Sequence, residues 1–491
     1  MTAEAIAMET QPVAVSPAAT PSVAATSAPA RESFWTAVWE ALRGERHDYT
    51  QLPLRRAILM LAVPMVLEMF MESLFAVADM FWVSKLGPDA ITTVMLTESM
   101  LIIVYAFAMG LSIGGAAIVA RRIGEKDPHG AARATVQVMV LGVALAAAVA
   151  VVGSLFGPQL LVAMGASPVV VATGSRFTQT MLGGSLTVIM LFLINGSFRG
   201  AGDATVAMRT LFLANGINIV LGPFLVFGWG PFPEMGVTGA AVATTIGRGV
   251  GVLYQLRALM AGRGHLAVRR EHLRVDGAVL RTIVRLSGTG IVQVFIATSS
   301  WLGLIRIVSS FGSVAVAGYG IAIRVVLFAL LPSWGMANAA ATLMGQNLGA
   351  SRPERAEQAV WRASLYNLVF LGVAGLLFVL FAEPIVHAFS SDPAVAAYGV
   401  NALRIVSAGF LFYAYGMVVT QAFNGAGDTW TPTLINLCCY WLLEIPLAWV
   451  LAKPLALGPN GVFIAILVAF STMAVVSVVV FRRGRWRRVT V

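Results

Sequence analysis

The hexapeptide Phe198-Arg-Gly-Ala-Gly-Asp203 occurs a second time in the chain as Phe423-Asn-Gly-Ala-Gly-Asp428. The two copies lie 225 residues apart (428 − 203), and the same offset aligns residues far outside the motif. The aligned positions include Leu61 with Leu286, Ser84 with Ser309, Gly87 with Gly312, Gly124 with Gly349, Pro128 with Pro353, Pro168 with Pro393, and Gly236-Val237 with Gly461-Val462. The chain therefore consists of two copies of one unit.

The composition excludes a soluble domain. Hydrophobic residues make up 58% of the chain and charged residues only 11%, with a mean hydropathy of +0.82, whereas a soluble domain carries about 25% charged residues. In a chain this hydrophobic, a duplication of this length is typical of secondary transporters.

Twelve apolar runs are long enough to cross a bilayer, which takes roughly 20 residues each. We number them spans 1 to 12. Spans 1 to 6 are predicted near 57–83, 91–119, 132–156, 175–198, 205–228 and 237–261. Spans 7 to 12 are predicted near 282–308, 316–343, 357–381, 399–423, 430–454 and 461–482. We therefore predict an all-α membrane protein with two six-helix repeats.

An even number of spans per copy makes the repeats parallel, related by an axis along the membrane normal, and excludes inverted repeats. Arg and Lys collect before span 1 and after spans 2, 6 and 12, so the positive-inside rule places both termini in the cytoplasm. The net charge of +10 is explained by anionic lipid headgroups, without a nucleic-acid partner. We expect a multi-pass protein of the plasma (inner) membrane, acting as a monomer.

The same pattern predicts five segments. They are a cytoplasmic N-terminal tail at 1–50, an N-lobe at 51–261, a cytoplasmic linker at 262–280, a C-lobe at 281–482 and a basic cytoplasmic tail at 483–491. Residues 1–30, rich in Ala, Pro, Ser and Thr, are expected to be disordered. Residues 32–42 have apolar residues at helical spacing, which fits either a helix in the headgroup plane or an unstructured lead-in.

Nothing in the sequence predicts a metal, a cofactor or an enzyme. The adjacent Cys438 and Cys439 lie inside span 11, and the five histidines lack metal-ligand spacing. An intramembrane enzyme of lipid metabolism would need a cluster of His, Asp or Cys in the loops, and no such motif is present.

Span 1 carries three acids at bilayer depth, where an ionisable side chain costs about 2.5 kcal/mol or more. At about 100° per residue, Glu72 lies near 40° and Asp79 near 20° from Glu68, and Pro64 lies near −40°. All four residues share one face, which predicts an acidic wall of an internal cavity. Pro64 is expected to bend the helix, or only to set its entry near the surface.

The second copy keeps this helix but has lost its acids: Gln293, Ala297 and Leu304 align with Glu68, Glu72 and Asp79. We therefore expect the N-lobe to hold the ion chemistry and the C-lobe to serve as its moving partner. Arg306 and Arg324 either pair with acids across the central cleft or reach an interface.

Other polar residues within the spans have a structural and a functional interpretation. Glu98 is either an interfacial cap or a cavity residue. The amides of Asn195, Asn215 and Asn218 can hydrogen-bond across helices, and Glu444, close to Pro446, is interpreted as structural.

The chain resembles the multidrug and toxic compound extrusion (MATE) family, in its prokaryotic proton-linked branch, over about residues 55–482. The features that carry the resemblance are Pro64 with Asp79, Gly87, Gly110, Gly124, the basic stretch after span 2, the Phe198–Asp203 turn, Asn218, and the segment Gly236–Thr244 that opens span 6. The resemblance implies two six-helix bundles around a V-shaped cleft, a drug-binding cavity, and export driven by proton or sodium entry.

The resemblance also implies roles for single residues. Pro64 and Asp79 would couple ion entry to transport, with Asn218 and Thr244 as polar partners of Asp79. One departure is that Gly222 stands where such sequences often have a second acid in span 5. Glu72 or Glu68 is our candidate replacement.

The leading hypothesis is antiport that exports amphipathic, cationic organic compounds in exchange for protons, with protonation and substrate competing for the N-lobe cavity. A sodium ion at Asp79 and Asn218 is the alternative coupling ion. The predicted substrate-cavity residues are Met69, Phe75, Tyr105 and Asn195. The rival function is a flippase for a lipid-linked precursor, which would require a cationic cavity.

Overall fold

The computed structural model describes residues 34–262 and 264–490, so the predicted disordered tail at 1–30 lies outside it. All twelve predicted spans are helical, and no strand occurs among the described residues. Spans 1 to 6 are Leu54–Ser84, Pro88–Gly124, Pro128–Ala163, the pair Pro168–Gly183 and Ser185–Ala201, Ala204–Phe227, and Val237–Ala261. Spans 7 to 9 are Gly277–Ser309, Ser313–Gly349 and Pro353–Leu380, and span 10 is the pair Pro393–Ala408 and Phe410–Ala426. Span 11 is Trp430–Asn436, Leu437–Glu444 and Ile445–Ala452, and span 12 is Pro459–Arg482.

Length and composition make most of these helices able to cross a membrane. Ten helices of the described chain qualify, and the bent pair that forms span 10 brings the number to eleven. Span 6 is the remaining one. Its 25 residues form one helix but include Arg248, Arg257 and several Gly and Thr residues, so it is less apolar than the others. The structure is therefore the predicted all-α membrane fold.

Spans 4 and 10 are interrupted at equivalent positions of the two repeats. The breaks fall at Gly184 and Gly409, which are 225 residues apart (409 − 184), and span 10 bends there by 57°. Span 11 differs from span 5 because Leu437–Glu444 is a π-helix, whereas span 5 is α-helical throughout. Single π-helical turns are frequent at functional sites.

Four short helices lie outside the spans. Phe34–Arg43 is an α-helix that precedes span 1, with Trp35 67% and Trp39 63% exposed. Ala382–His387 is a second short α-helix, and Arg270–Leu273 and Arg485–Arg488 are 3₁₀ turns. Trp486 of the last turn is buried and stacks on Phe481 with ring centroids 4.9 Å apart, so the C-terminal segment packs on the C-lobe.

The two lobes contact each other through glycines at one end of the bundle. A Cβ added to Gly124 would lie 2.0 Å from the carbonyl oxygen of Gln346, and one added to Gly335 would lie 2.6 Å from that of Met65. One end of the bundle is rich in Arg and Lys, and we call it the basic end. It carries residues 46–56, 121–133, 264–274, 352–362 and 482–488. Gly124 and Gln346 lie there, and the lobes are therefore closed at the basic end.

We call the contact between the lobes at the basic end the closed seam. The repeated hexapeptide forms the same turn in each lobe, next to this closed seam. Gly202 and Gly427 adopt φ of +90° and +85°, which glycine allows without strain. Each ends its helix with paired backbone hydrogen bonds, such as Asp203 N–H to Phe198 C=O at 2.8 Å and Asp428 N–H to Phe423 C=O at 2.9 Å. The Gly-Ala-Gly-Asp sequence is thus a helix C-terminal motif.

The first glycine of each motif serves close packing. A Cβ on Gly200 would lie 2.5 Å from the carbonyl oxygen of Ala116, and one on Gly425 would lie 2.2 Å from that of Ala341. Across the seam, Gln346 Nε2 donates to the carbonyl oxygen of Gly200 at 3.0 Å, and Thr342 Oγ1 donates to that of Arg199 at 3.0 Å. The duplicated turns therefore position the two lobes against each other.

Candidate functional site

Glu68 is the most buried acid of span 1, with no exposed surface. Its Oε1 accepts hydrogen bonds from Arg199 Nη1 at 2.8 Å and from Asn195 Nδ2 at 3.2 Å. Asn195 is itself held by Gln255, whose Nε2 donates to Asn195 Oδ1 at 2.6 Å. Glu68 is therefore ion-paired to span 4, and the predicted substrate residue Asn195 belongs to this buried network.

Glu72 faces the next helix of the bundle. Its Oε2 accepts from Asn215 Nδ2 in span 5 at 3.0 Å. Gly222, the position of the missing acid, is buried with only Trp82 within 4 Å of an added Cβ, at 3.8 Å. Of the two candidate replacements for the missing acid, Glu72 is the one that hydrogen-bonds to span 5.

Asp79 is half-buried and lies towards the other end of span 1 from Glu68. In the part of the chain that the structure describes, it accepts no hydrogen bond and has no ion pair within 4 Å. Its electrostatic neighbours are Glu98 and Arg248. Asp79 is thus the one of the three span 1 acids that has no hydrogen-bond partner among the described residues.

Asn218 and Thr244, the predicted partners of Asp79, are bonded to each other. Asn218 Nδ2 donates to Thr244 Oγ1 at 2.7 Å, and both side chains are buried. They lie where spans 5 and 6 pack closely, since a Cβ on Gly247 would be 2.4 Å from the carbonyl oxygen of Ala214. No hydrogen bond between this pair and Asp79 occurs in the described chain.

Arg248 is a charged residue that the sequence reasoning missed. It is 5% exposed, donates from Nη1 to Tyr105 Oη at 3.2 Å, and lies over the Phe75 ring with its Cζ 5.7 Å from the ring centroid. Its charge acts on Glu72, Asp79 and Glu98 together. A signal was present in the sequence, because an arginine in the middle of a span is costly unless it has a counter-charge.

The wall predicted as acidic is therefore partly neutralised by two arginines. Arg199 neutralises Glu68, and one buried guanidinium is shared by the remaining acids. Predicted cavity residues lie around it: Phe75 and Tyr105 contact Arg248 directly, and Met69 is half-buried on span 1. Pro64 is buried inside the continuous helix Leu54–Ser84, near the closed seam.

One electrostatic interaction of this cluster links the two lobes. Glu98 in span 2 and Arg324 in span 8 are both exposed, and the charge of Arg324 acts on Glu98. Arg306 is exposed near the end of span 7, without an ion pair in the described residues. Of the two C-lobe arginines, Arg324 is the one whose charge acts on an N-lobe acid.

Three potential metal ligands meet at the basic end, although their sequence spacing gave no such signal: His129, Glu271 and His272. Arg269 N–H donates to His272 Nδ1 at 3.0 Å, so Nε2 carries the proton and donates to His129 Nδ1 at 2.9 Å. Burial, with smaller contributions from neighbouring positive charges, lowers the pKa of His272 despite Glu271. The hydrogen bond between the two rings therefore holds His129 and His272 together at the basic end.

The family comparison identifies the fold twice within the chain. The sequence profile described as MatE matches residues 64–224 and again residues 290–450. The two matches start 226 residues apart (290 − 64), close to the offset of the repeated hexapeptide. Together they cover more than half of the chain.

Several bacterial proteins are similar over most of their length. The probable multidrug resistance protein NorM of Thermotoga maritima is 26% identical over 89% of this chain and 94% of its own. That of Caulobacter vibrioides is 29% identical over 77% of this chain and 81% of its own. A FAD transporter of Shewanella oneidensis is 26% identical over 82% of this chain and 89% of its own.

Solved structures share the architecture. The crystal structure of MATE in complex with MaL6 superimposes with a TM-score of 0.84 at 24% identity, covering 92% of this chain and 99% of that one. The crystal structure of MATE in the straight conformation gives a TM-score of 0.83 at 25% identity, covering 92% and 99%. With the profile match over both repeats, these likenesses show that the chain belongs to the MATE family of membrane transporters, which are not enzymes.

Proposed function

We propose that the chain is a proton-coupled antiporter that exports amphipathic organic cations. The observation that carries the proposal is the cluster around Arg248, where Glu72, Asp79 and Glu98 share one buried guanidinium. Arg324 adds a second positive charge from the C-lobe, so that the five groups sum to one negative charge when all are ionised. Entry of one proton, or of one organic cation, balances the cluster, which makes the two ligands competitors.

Asp79 is the residue proposed to exchange the proton. It is partly exposed and accepts no hydrogen bond in the described chain, whereas Glu68 is fully buried and ion-paired. A proton on Asp79 neutralises its carboxylate, so that Arg248 interacts with Glu72 and Glu98 alone. The cluster then has no net negative charge, and its attraction for a cationic substrate is lost. Pro64, which lacks a backbone N–H, is the proposed bending point of span 1.

Sodium is the less favoured coupling ion. A sodium site requires several oxygen ligands directed at one point. Asn218 and Thr244 are the amide and hydroxyl groups that the family resemblance assigns as partners of Asp79. They are hydrogen-bonded to each other at 2.7 Å. This arrangement supports a proton at Asp79 rather than sodium at Asp79 and Asn218.

The proposed substrates follow from the cluster and from the relatives. Similar proteins are named as multidrug resistance proteins, and the negative balance of the cleft favours cations. The half-buried Met69 and Tyr105 offer adaptable apolar contacts, while Phe75 holds Arg248 in place. The protein is proposed to act as a monomer on small organic compounds, without a cofactor.

The proposed site of action is the plasma (inner) membrane, with the basic end and both termini in the cytoplasm. The proposed division is a tail at 1–50, the N-lobe at 51–261, a linker at 262–280, the C-lobe at 281–482 and a basic tail at 483–491. In that orientation the lobes are closed toward the cytoplasm, as expected for the state that releases substrate outside.

A flippase for a lipid-linked precursor is the rival. A cavity that holds a diphosphate would need a net positive charge. Here three acids surround the single guanidinium of Arg248, so the net charge around it is negative. Purified protein in proteoliposomes tests both functions under a pure pH gradient and a pure sodium gradient, with ethidium and a fluorescent lipid-linked diphosphate as probes. We expect ethidium movement driven by the pH gradient. Movement of the lipid alone, or of ethidium by sodium alone, would reject the proposal.

A further inference from the structure

A cavity of about 230 Å³ inside the C-lobe occupies the position that the charged cluster occupies in the N-lobe. The 225-residue offset aligns its lining residues Gln293, Ala297, Leu330, Thr420, Tyr440 and Met473 with Glu68, Glu72, Tyr105, Asn195, Asn215 and Arg248, respectively. The second repeat has thus kept a cavity at this position but has neutral residues in place of the charged ones. In place of the ion network, the C-lobe has an aromatic pocket.

The inner side of the pocket is apolar and aromatic. Tyr413 and Tyr440 are 1% and 8% exposed, and both pack against Phe470 with ring centroids 4.8 and 5.0 Å away. Trp301 and Trp334 line it as well and are only half-buried. Such walls suit a planar aromatic group.

Two carbonyl oxygens in this lining lack partners. Gln293 Oε1 and Asn436 Oδ1 are buried and accept no hydrogen bond, and their residues are 7% and 5% exposed. An unpaired buried acceptor is destabilising because it has lost its hydrogen bonds to water. A ligand that brings N–H donors removes this destabilisation, so both oxygens point to a donor-bearing ligand.

A buried acid adjoins the pocket. Glu444 in the π-helical segment accepts from Ser300 Oγ at 2.5 Å, while its Oε1 has no partner and the residue is 2% exposed. The carboxyl group lies near the hydroxyl groups of Tyr413 and Tyr440. Its Oε1 is a third buried polar atom without a partner at or beside the pocket, in addition to those of Gln293 and Asn436.

We propose that this pocket is a substrate subsite that binds the aromatic, N–H-bearing part of an organic cation, with Gln293 and Asn436 as acceptors. The inference rests on the proposed function and adds a division of labour: the N-lobe exchanges the ion and the C-lobe holds the substrate. The volume is below the roughly 300–1,000 Å³ of pockets for whole drug-sized ligands. The remainder of the substrate therefore lies in the central cleft.

A path joins this pocket to the ion cluster. Gln421 lines both the pocket and a cavity of about 60 Å³ at the closed seam, whose opposite wall includes Arg199, the partner of Glu68. Gln421 is held on both sides, donating to Asn338 Oδ1 at 3.1 Å and accepting from Asn424 Nδ2 at 2.6 Å. A ligand in the pocket would thus contact a residue that also lines the cavity at the closed seam.

Two dyes test the subsite in purified full-length protein. Ethidium is a planar aromatic cation with amine N–H donors, and tetraphenylphosphonium is an aromatic cation with none. We expect Gln293→Leu and Asn436→Leu to weaken ethidium binding at least tenfold and tetraphenylphosphonium binding less than twofold. Trp334→Ala should weaken both. The control is Thr472→Val on the exposed face of span 12, where the hydroxyl bonds only to Val468 C=O, and it should change neither.

Retained tetraphenylphosphonium binding shows that the leucine variants are folded. Wild-type ethidium affinity in both of them, or equal loss of both dyes, would overturn the subsite. Binding at constant pH is independent of coupling. Failure of pH-driven transport by the wild type would therefore reject the proposed function alone, whereas failure of the dye discrimination would reject the subsite alone.

Discussion

Arg199 pairs with Glu68 at 2.8 Å, and the second repeat lacks both partners. Arg199 is the second residue of the duplicated hexapeptide, where the other copy has Asn424, and Glu68 aligns with Gln293. A buried charge left without its partner is strongly destabilising, whereas a neutral pair is tolerated. The two repeats therefore differ by a whole ion pair and not by two independent residues.

The first prediction concerns this pair. Glu68→Gln leaves the Arg199 guanidinium without its counter-charge and should destabilise the protein by about 3–5 kcal/mol. The double variant Glu68→Gln with Arg199→Asn reproduces the combination of the C-lobe and should recover most of the loss. Thermal unfolding in detergent compares the three proteins. A double variant no more stable than the single one would contradict the pairing.

The second prediction concerns Arg248. Arg248→Gln removes the charge shared by Glu72, Asp79 and Glu98 and should lower pH-driven transport at least tenfold. Arg248→Lys keeps the charge but loses the geometry of the bond to Tyr105, so an intermediate rate is expected. Arg257→Gln, at an exposed position of the same span, is the control. Equal activity of the Gln and Lys variants would show that the charge is dispensable.

The third prediction concerns the closed seam. A Cβ at Gly124 would lie 2.0 Å from the carbonyl oxygen of Gln346, so Gly124→Ala should force the lobes apart at the basic end. Spin labels at positions 125 and 350 measure this separation as a longer mean distance. Gly288→Ala is the matched control because nothing lies within 4 Å of its added Cβ. An unchanged distance in Gly124→Ala would place the closing contact elsewhere.

The fourth prediction concerns residues 48–52, which tie the lobes together at the basic end. Tyr49 Oη donates to Gly202 C=O at 3.2 Å in the N-lobe, and Asp48 pairs with Lys126 at 2.5 Å. From the C-lobe, Arg352 donates to Thr50 C=O at 2.8 Å, and Arg355 donates to the carbonyls of Tyr49 and Leu52. Opening of the basic end must break one of these sets.

Arg352→Ala with Arg355→Ala should therefore raise hydrogen exchange in residues 48–52 at least tenfold and increase the population open at the basic end. The control is Arg362→Ala, since Arg362 is exposed and forms no hydrogen bond in the described structure. Unchanged exchange in the double variant would mean that the segment is held by the N-lobe alone.

Hydropathy and the 225-residue offset were sufficient to predict the fold. A membrane span must satisfy its backbone internally, so each long apolar run becomes a helix. Gly-Ala-Gly-Asp likewise predicted a turn because glycine adopts positive φ at a helix C-terminus. The offset could not predict the π-helix of span 11, since span 5 is regular.

The candidate site was only partly predictable. Helical periodicity placed Glu68, Glu72 and Asp79 on one face, but it carries no information on contacts between spans. The sequence places Arg199 in a turn and Arg248 in span 6, and neither position predicts that both residues interact with acids of span 1. The C-lobe pocket was not predicted, because the absence of acids in the second copy led only to the expectation of a moving partner.

The central claim is that a proton on Asp79 is exchanged for substrate. The direct measurement is ethidium efflux from proteoliposomes under an imposed pH gradient, with wild type, Asp79→Asn and Asp89→Asn, an exposed acid at the start of span 2, as the control. We predict that Asp79→Asn loses efflux at least a hundredfold while keeping ethidium affinity within about threefold, and that Asp89→Asn matches the wild type. Wild-type efflux by Asp79→Asn would contradict the account.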